Sequence, residues 1–282
     1  MMLRIVTDGA ADFPPGWLER YRVAVIPINI QMKGRTYLQG VDVNDDDFYR
    51  FVEQERVIPK TSQPSPQQFV AFYRRIAQPG DTVLSIHVTS RLSGTFHSAV
   101  QAAKELVDEM KVVPFDSLGG SASLAFMCRD ARAMAEAGAT LEQILARLTW
   151  LREHISVVLT LNSLEYARLS GRVRAAQALA AGLLRIKPVV ELRDGFLDMV
   201  DKVRTRSRSL EAVVQRVKAG VGFRPAHVAV VNARAPQAAQ WLHERVQQVL
   251  KVRELITTNL SIAVAANLGP GTAGVVAYPA EE

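Results

Sequence analysis

Residues 83–95 read VLSIHVTSRLSGT, an apolar strand followed by a loop rich in hydroxyl groups. The run Val83–Val88 has the length and character of a buried strand, and we expect the helix after the loop to extend to about Glu109. Gly94 lets the backbone approach a ligand, and the start of a helix has free N–H groups that favour an anion. The stretch therefore predicts a strand, an anion-binding loop and a helix, with an ordinary capped turn as the alternative.

The same arrangement recurs on both sides of this stretch. The predicted strand Leu3–Thr7 ends in Asp8, and the predicted strand Val112–Phe115 leads through an aspartate to Ser117 and a glycine pair. Strands that alternate with helices indicate an α/β fold with a parallel sheet, and such sheets bind ligands at the carboxyl ends of their strands. We therefore expect Asp8, Ser93 and Ser117 to lie along one edge.

The alternation of strands and helices continues along the chain. The further predicted strands are an extended run Val23–Met32, folded back as a hairpin by a turn at residues 33–36, and then Ile155–Leu161, Pro188–Leu192, Phe196–Val203, Ala226–Asn232 and Ile262–Ala266. The further predicted helices are Asp45–Gln54, a helix capped by Ser65 and Pro66, Ala122–Ala137, Leu141–His154, Ala175–Leu184, Leu210–Ala219 and Gln237–Leu250. Because 282 residues exceed the usual size of one core, we expect two lobes, residues 1–155 and 156–282.

The composition is that of a folded protein without a membrane anchor. Hydrophobic residues make up 48% and charged residues 22% of the chain, which is ordinary for globular proteins. Residues 1–8 do not resemble a signal peptide, and no apolar run approaches the roughly 18 residues that span a bilayer. We therefore expect a cytoplasmic protein with no integral membrane segment.

Cysteine and histidine usage gives no indication of a disulfide or a metal. The single cysteine, Cys128, excludes an intramolecular disulfide, and the five histidines form no metal-binding pair. The net charge of +6 favours an anionic partner without identifying it. We therefore predict no metal and no cofactor.

A second loop carries hydroxyl groups at a helix start. Residues 60–66 read KTSQPSP, so Thr61 and Ser62 come just before the predicted helix. Together with Ser93, Gly94 and Thr95 they are the candidate ligand-binding residues, since hydroxyls and free N–H groups suit a carboxylate; a plain capped helix is the alternative. Residues 91–95 do not form the G-x-S-x-G motif of hydrolases, and no histidine and acid are placed to activate Ser93, so we predict no catalytic residue.

Two basic clusters are candidate docking surfaces for an acidic or phosphate-bearing partner. Residues 170–174 read SGRVR around Arg172, and Arg204, Arg206 and Arg208 alternate, so they would share one face of an extended chain. A solvated face is the alternative. Nucleic acid is not predicted, because no aromatic residues interleave with the arginines. The G-x-G-x-x-G of residues 269–274 lies too near the end of the sequence for a nucleotide-binding unit.

Taken together, these segments resemble the DegV family over nearly the whole chain. The segments that carry the resemblance are residues 6–8 (VTD), 61–65 (TSQPS), 90–95 (SRLSGT) with Ser98 and Ala99, 116–117 (DS), 163–166 (SLEY), 170–172 (SGR), 186–188 (IKP) and 269–271 (GPG). Their order and spacing carry the resemblance, because each segment alone is a weak signal.

The resemblance implies a two-lobed carrier, with a parallel-sheet α/β lobe and an α/β lobe with a mixed sheet. A long-chain fatty acid would lie in a tunnel between and within the lobes, its carboxylate held by Thr61 and the Ser93 loop. The carrier would present this carboxylate to a separate fatty acid kinase, which makes acyl phosphate for phospholipid synthesis, with Arg172 and Arg204 facing the kinase. The family often has a histidine that reaches toward the head group where this chain has Asn267, so Asn267 is a further candidate ligand-binding residue; it can donate a hydrogen bond but carries no charge.

Two other classes of function stay open. One is an enzyme acting on a small molecule at the same hydroxyl-rich edge, for which Asp8 or Asp116 would be the general base. The other is a regulatory nucleic-acid-binding protein that uses the arginines; its binding would have to persist at moderate salt.

Overall fold

A computed structural model describes residues 2–174, 176–177 and 186–280 of the chain. The helix predicted over residues 175–184 lies outside the described residues, except for residues 176 and 177, which form a turn. Among the helices in the described ranges, none is long and apolar enough to cross a bilayer.

The first half of the chain contains the elements expected for an α/β fold. They are β1 Leu3–Asp8, α1 Trp17–Arg20, β2 Val23–Ile26, β3 Asn29–Met32, β4 Arg35–Leu38, α2 Asp45–Tyr49 with a π-helical turn Arg50–Gln54, β5 Lys60–Ser62, α3 Pro66–Ile76, β6 Thr82–His87, α4 Thr95–Glu105, β7 Lys111–Asp116, α5 Ala122–Glu136 and α6 Leu141–His154. The predicted cap of α3 is confirmed, since Ser65 accepts from Gln68 N and Pro66 opens the helix.

Four strands form a parallel sheet in the order β2-β1-β6-β7. Alternate residues face opposite sides: Ile5 and Leu84 pack with α5, whereas Val6 and Val83 pack with α3 and α4. The carboxyl ends of β1, β6 and β7 therefore meet at one edge. Asp8 at the end of β1 accepts a hydrogen bond from Val88 N at 2.9 Å, which confirms that the first two of these ends are adjacent.

A small antiparallel sheet, in the order β4-β3-β5, lies beside the parallel one. The predicted hairpin is confirmed, because β3 and β4 pair antiparallel around residues 33–34. The prediction of a single extended run over Val23–Met32 is wrong, because β2 joins the parallel sheet and β3 joins the small sheet. Pro27 separates them, and a proline cannot donate to a strand ladder.

The second half of the chain forms a mixed sheet covered by helices. Its elements are β8 Ser156–Thr160, α7 Glu165–Ser170, β9 Val173–Arg174, β10 Lys187–Arg193, β11 Phe196–Val203, α8 Arg206–Val221, β12 Ala226–Asn232, α9 Pro236–Val249, β13 Val252–Asn259, α10 Ile262–Leu268 and β14 Ala273–Pro279. The sheet order is β13-β12-β14-β8-β10-β11-β9. Parallel pairing joins β12 to β13 and β11 to β9, and the other neighbours are antiparallel. The α/β class with a parallel sheet and a mixed sheet is confirmed.

One predicted strand is a helix. Ile262–Ala266 belongs to α10, in which Ile262, Ala263, Ala265, Ala266 and Leu268 are all buried. A five-residue apolar run buried on most sides has no distinguishing period, so the strand prediction is wrong. Sequence reasoning also missed β13 and β14, although β14 lies near the centre of the mixed sheet.

The mixed sheet separates two hydrophobic cores. Val158 and Val228 face α8 and α9 on its outer side, whereas Val157 and Leu159 face inward and join the core around α5. This inner core is continuous between the halves of the chain: the rings of Phe126 and Tyr278 lie 5.3 Å apart, edge to face. The division between residues 155 and 156 stays a prediction, although α6 ends and β8 begins there.

Candidate ligand-binding site

A narrow cavity, with about 130 Å³ of space for the centre of a water molecule, lies between the inner face of the mixed sheet and the carboxyl ends of the parallel strands. Most of its wall is apolar, contributed by both halves of the chain: Ala10, Ile28, Val88, Leu92, Val157, Leu159, Leu192, Leu197, Ala263, Val264 and Leu268. Its polar side chains are Thr61, Ser62, Gln63, Ser93, Ser121, Arg172 and Asn267.

Thr61 and Asn267 meet at this cavity from opposite halves of the chain. β5 pairs with β3 and places Thr61 opposite Ile30, while Asn267 lies in the last turn of α10. Asn267 Nδ2 donates to Thr61 Oγ1 at 3.2 Å and to Ala263 O at 2.7 Å. Because Thr61 Oγ1 accepts this hydrogen bond from Asn267, the hydroxyl hydrogen of Thr61 is left to donate to another group.

The Ser93 loop reaches the same cavity from the end of β6. Ser93 Oγ lies 2.8 Å from Thr95 Oγ1 and accepts from Thr95 N at 3.3 Å. Thr95 is completely buried and does not line the cavity, so it supports Ser93 from behind. Gly94 allows the two loops to touch, since a Cβ at this position would lie 2.7 Å from Gln63 Nε2.

The start of α10 is fixed to the first half of the chain by a buried carboxyl group. Asp12 Oδ1 accepts from Ser261 N at 2.7 Å, and Asp12 Oδ2 accepts from Ser121 Oγ. Burial raises the pKa of Asp12 to about 7, and the two hydrogen bonds only partly oppose this shift. Asp12 therefore positions the helix that carries Asn267.

The two predicted docking arginines occupy different environments. Arg172 is half-buried in the wall of the cavity, and its guanidinium donates to Ser170 O. Arg204 is exposed just after β11. The structure thus brings Arg172, but not Arg204, into the wall around Thr61 and Ser93.

The alternating arginines do not share one face of an extended chain. β11 ends at Val203 and α8 begins at Arg206, so the condition of an extended backbone is not met. Arg206 Nη2 donates to Gly271 O at 2.6 Å, and burial lowers the pKa of Arg206 to about 10. Arg206 therefore holds the turn that leads into β14, while Arg208 is exposed.

A buried chain of side chains resembles a Ser-His-Asp arrangement but does not reach the cavity. His87 Nδ1 lies 3.0 Å from Asp8 Oδ2, Ser85 Oγ lies 2.7 Å from His87 Nε2, and Tyr73 OH lies 2.8 Å from Ser85 Oγ. All four residues are essentially inaccessible to solvent. Asp8 also accepts from Ala10 N at 2.9 Å, so its oxygens are engaged in holding the ends of β1 and β6 together.

The other candidate general base is engaged in the same way. Asp116 Oδ1 accepts from Ser90 N at 3.1 Å and from Leu118 N at 3.2 Å. Among the described residues that line the cavity, there is no aspartate, glutamate or histidine. The cavity wall thus offers hydroxyls, amides and one guanidinium, which bind an anion, rather than a group that accepts a proton.

Sequence reasoning missed three polar residues of the wall. Gln63 and Ser121 were not among the candidates, and Arg172 was assigned only to docking. The glycine pair at residues 119–120 after β7 was a usable signal for Ser121, because it matches the loop around Gly94. The apolar wall had no comparable signal, since it forms only when distant strands pair.

The DegV family model, described as an uncharacterised protein family, matches residues 2–280. The chain belongs to the DegV family. A DegV domain-containing protein from Deinococcus radiodurans is 31% identical over 284 residues, covering 99% of both chains. A second relative, from Streptomyces coelicolor, is 31% identical over 274 residues, covering 96% of both chains.

Solved DegV structures share the fold over the full length. A fatty acid-binding DegV family protein from Thermus thermophilus superposes with a TM-score of 0.88 at 30% identity, covering 99% of this chain and 100% of its own. A stearic acid-binding protein from Eubacterium ventriosum gives a TM-score of 0.89 at 26% identity, covering 99% and 98%. DegV from Bacillus subtilis, also a fatty acid-binding protein, gives 0.88 at 26% identity, covering 99% and 100%. The predicted family and fold are thus confirmed.

Proposed function

We propose that this DegV family protein binds one long-chain fatty acid in the cavity between its sheets. The observation that carries the proposal is the distribution of polar groups: hydroxyls, amides and one guanidinium lie on a wall that is otherwise apolar. Each buried methylene contributes about 0.8 kcal/mol, so the acyl chain of the ligand supplies most of the binding affinity. The fatty acids bound by the solved relatives support the same ligand class.

The carboxylate is held by two hydroxyl donors that are each oriented from behind. Asn267 donates to Thr61, which leaves the Thr61 hydrogen for the ligand. Thr95 in turn contacts Ser93, and a hydrogen bond from Thr95 Oγ1 leaves the Ser93 hydrogen for the ligand. Arg172 adds a positive charge to the same wall, and charged groups form the stronger hydrogen bonds.

The proposal extends to presentation of the fatty acid to a separate kinase in the cytoplasm, without catalysis by this chain. In this role Arg204, which is exposed, contacts the kinase, and Arg172 lies between the kinase and the carboxylate. The lobes 1–155 and 156–282 each supply part of the wall. The absence of a general base from the described lining residues supports a binding role rather than the rival enzyme.

The test begins with native mass spectrometry of the purified protein and the identification of any fatty acid that dissociates from it. Binding of palmitic acid is then compared between wild type, Thr61→Val, Ser93→Ala and the control Thr36→Val, which removes an exposed hydroxyl on β4. We expect about tenfold weaker binding for each cavity variant, since a hydrogen bond to a charged group contributes about 1.5–3 kcal/mol. A protein that is isolated empty and ignores added fatty acid would overturn the proposal.

The kinase step has its own test. Acyl phosphate formation by a fatty acid kinase is measured with fatty acid-loaded wild type and with Arg204→Ala. Loss of product with unchanged fatty acid affinity is the expected result, because Arg204 lies outside the cavity wall. Unchanged product formation would refute the role of Arg204 in docking.

A further inference from the structure

The start of α8 carries charges of the unfavourable sign. Arg206 opens this helix of 16 residues, Arg208 follows within its first turn, and that turn contains no acidic residue. Arg204 comes just before the helix. The N-terminus is the positive end of the helix dipole, so acidic residues stabilise it and arginines do not. A cluster of arginines at this end therefore lowers stability unless an anion binds there.

Lys187 adds a further positive charge at the same place. Its ammonium group donates to Asn162 O at 2.8 Å and to Asn162 Oδ1 at 2.7 Å. The Arg206 guanidinium donates to Gly271 O at 2.6 Å and to Thr160 O at 3.4 Å. Burial lowers the pKa of Lys187, and the charge of Arg206 lowers it further. The two cations therefore lie close enough to repel each other.

All the oxygens that these two cations contact are neutral. Burial lowers the pKa of Arg206, and no carboxylate among the described residues is near enough to oppose that shift. Glu211, the first acidic residue of α8, pairs instead with Arg245 at 2.9 Å. Half-buried charges without a counter-charge are costly. Because an ammonium group has three donors and a guanidinium five, Lys187 and Arg206 both retain hydrogens for an anionic ligand.

A buried hydroxyl group without a partner lies beneath the first turn of α8. Thr160 is fully buried, and its Oγ1 forms no hydrogen bond with any part of the chain that the structure describes. Side chains alternate along β8, so Thr160 shares a face of the strand with Val158, which packs in the core with α8. The Thr160 hydroxyl therefore points toward the start of α8. Such a hydroxyl is destabilising unless a group accepts its hydrogen.

We call the group formed by Lys187, Arg206, Thr160 and the first turn of α8 the outer basic site. It lies on the outer face of the mixed sheet, whereas Val157 and Leu159 on the inner face line the fatty acid cavity. The sheet thus separates the two sites. A carboxylate held in the cavity does not neutralise these cations, so the outer basic site requires a ligand of its own.

A phosphate group matches the charge and the donors of this site. Together with Arg204 and Arg208, Lys187 and Arg206 supply four positive charges around one helix start. A phosphate monoester carries about two negative charges near neutral pH and three strong acceptor oxygens, whereas a carboxylate carries one charge and two oxygens. Helix N-termini and guanidinium groups both bind several phosphate oxygens at once.

We propose that the outer basic site binds a phosphate group, as inorganic phosphate or as the phosphate chain of a nucleotide. Lys187 and Arg206 contact the phosphate oxygens from the side, and the free N–H groups of the first turn of α8 contact them from the helix end. Thr160 donates from below. The proposal does not depend on the binding of a fatty acid, because the two sites lie on opposite faces of the mixed sheet.

The test is isothermal titration calorimetry of the full chain with inorganic phosphate, ATP and adenosine. Sodium chloride is kept at about 0.15 M, which screens long-range attraction between exposed charges. We expect phosphate and ATP to bind and adenosine to be ignored; tighter binding of ATP assigns the site to a nucleotide, and tighter binding of phosphate assigns it to the free ion. The proposal would be overturned if neither bound, or if a peptide of consecutive glutamates bound more tightly than both, since the surface would then suit an acidic protein.

Four variants locate the binding. Lys187→Met should weaken phosphate binding about tenfold, as the loss of a charged hydrogen bond implies, whereas Lys187→Arg should retain most of it. Lys104→Met removes an exposed lysine on α4 and is the control. Thr160→Val keeps the shape of the side chain and should weaken binding without lowering the midpoint of thermal unfolding.

Phosphate binding that neither Lys187→Met nor Thr160→Val weakens would overturn the assignment to this site. Equal losses in Lys187→Met and Lys104→Met would do the same, because they would show only an effect of net charge. Palmitic acid binding is measured on the same samples and reports on the proposed function alone. A chain that binds palmitic acid but no phosphate refutes only the outer basic site, and the reverse result refutes only the proposed function.

Discussion

Asp12 makes the stability of the protein depend on pH in an unusual direction. Its carboxyl group is 2% exposed, and burial raises its pKa from 3.8 to about 7. Asp45 adds to this rise, while the hydrogen bonds from Ser121 and Ser261 lower it. Between these two pH values the folded protein keeps a proton that the unfolded chain has released.

The sign and size of the effect follow from this difference in proton binding. The contribution of Asp12 to stability is fully present below about pH 4 and is lost as the pH rises through about 7. The pKa difference is about 3 units, and each unit corresponds to about 1.4 kcal/mol, so the total loss is about 4 kcal/mol.

The assay is urea unfolding of wild type and Asp12→Asn at about pH 5 and about pH 8. Asparagine keeps the size of the side chain and cannot ionise, so the variant should gain about 3 kcal/mol relative to wild type between these pH values. Asp108→Asn changes an exposed carboxylate on the loop after α4 and serves as the control. The reasoning would be refuted if the difference in free energy of unfolding between wild type and Asp12→Asn were equal at both pH values. It would also be refuted if wild type became more stable relative to Asp12→Asn as the pH rises.

Three further substitutions or reagents test the packing around the site. Gly274→Ala should lower the free energy of unfolding by about 3 kcal/mol in urea titrations, because the new Cβ would lie 2.4 Å from Val158 O; a change under about 1 kcal/mol would contradict this contact. His87→Leu should cost a similar amount, since it leaves the buried Asp8 carboxyl without its ring partner, and thermal unfolding at equal midpoints would refute that role. Cys128 should react with a thiol reagent only as the chain unfolds, because burial raises the pKa of its thiol; rapid labelling of the folded protein would show that α5 is open.

The sequence predicts the first half of the fold well because its signals are local. The cap at Ser65 and Pro66 and the spacing of the apolar residues after it predict α3. The apolar run and the hydroxyl-rich loop of residues 83–95 predict β6 and the loop that follows it. The family resemblance depends on these same loops. The sequence therefore identifies Thr61 and Ser93 as candidates, and both line the cavity.

The second half was harder to predict because its centre is buried on both sides. All seven residues of β14 are buried, so the strand has no alternation of polar and apolar residues to reveal it. The run at residues 262–266 is apolar for the same reason, and only Ser261 before it and Gly269 after it indicate the limits of a helix. The apolar wall of the cavity depends on these elements, since Ala263, Val264 and Leu268 all come from α10.

The cavity wall is formed by residues from both sheets, so it exists only in the folded protein. Occupancy of the cavity by a ligand therefore affects how long the protein survives in a cell. A fatty acid that fills it binds the folded chain and not the unfolded one, so a ligand at a hundredfold excess over its dissociation constant adds about 2.7 kcal/mol to the free energy of unfolding. Proteases cleave the unfolded chain, and a change of this size in the free energy of unfolding alters the fraction of molecules that are unfolded. On the proposed function, the amount of carrier in a cell would therefore rise and fall with the supply of its own cargo, without any change in its synthesis.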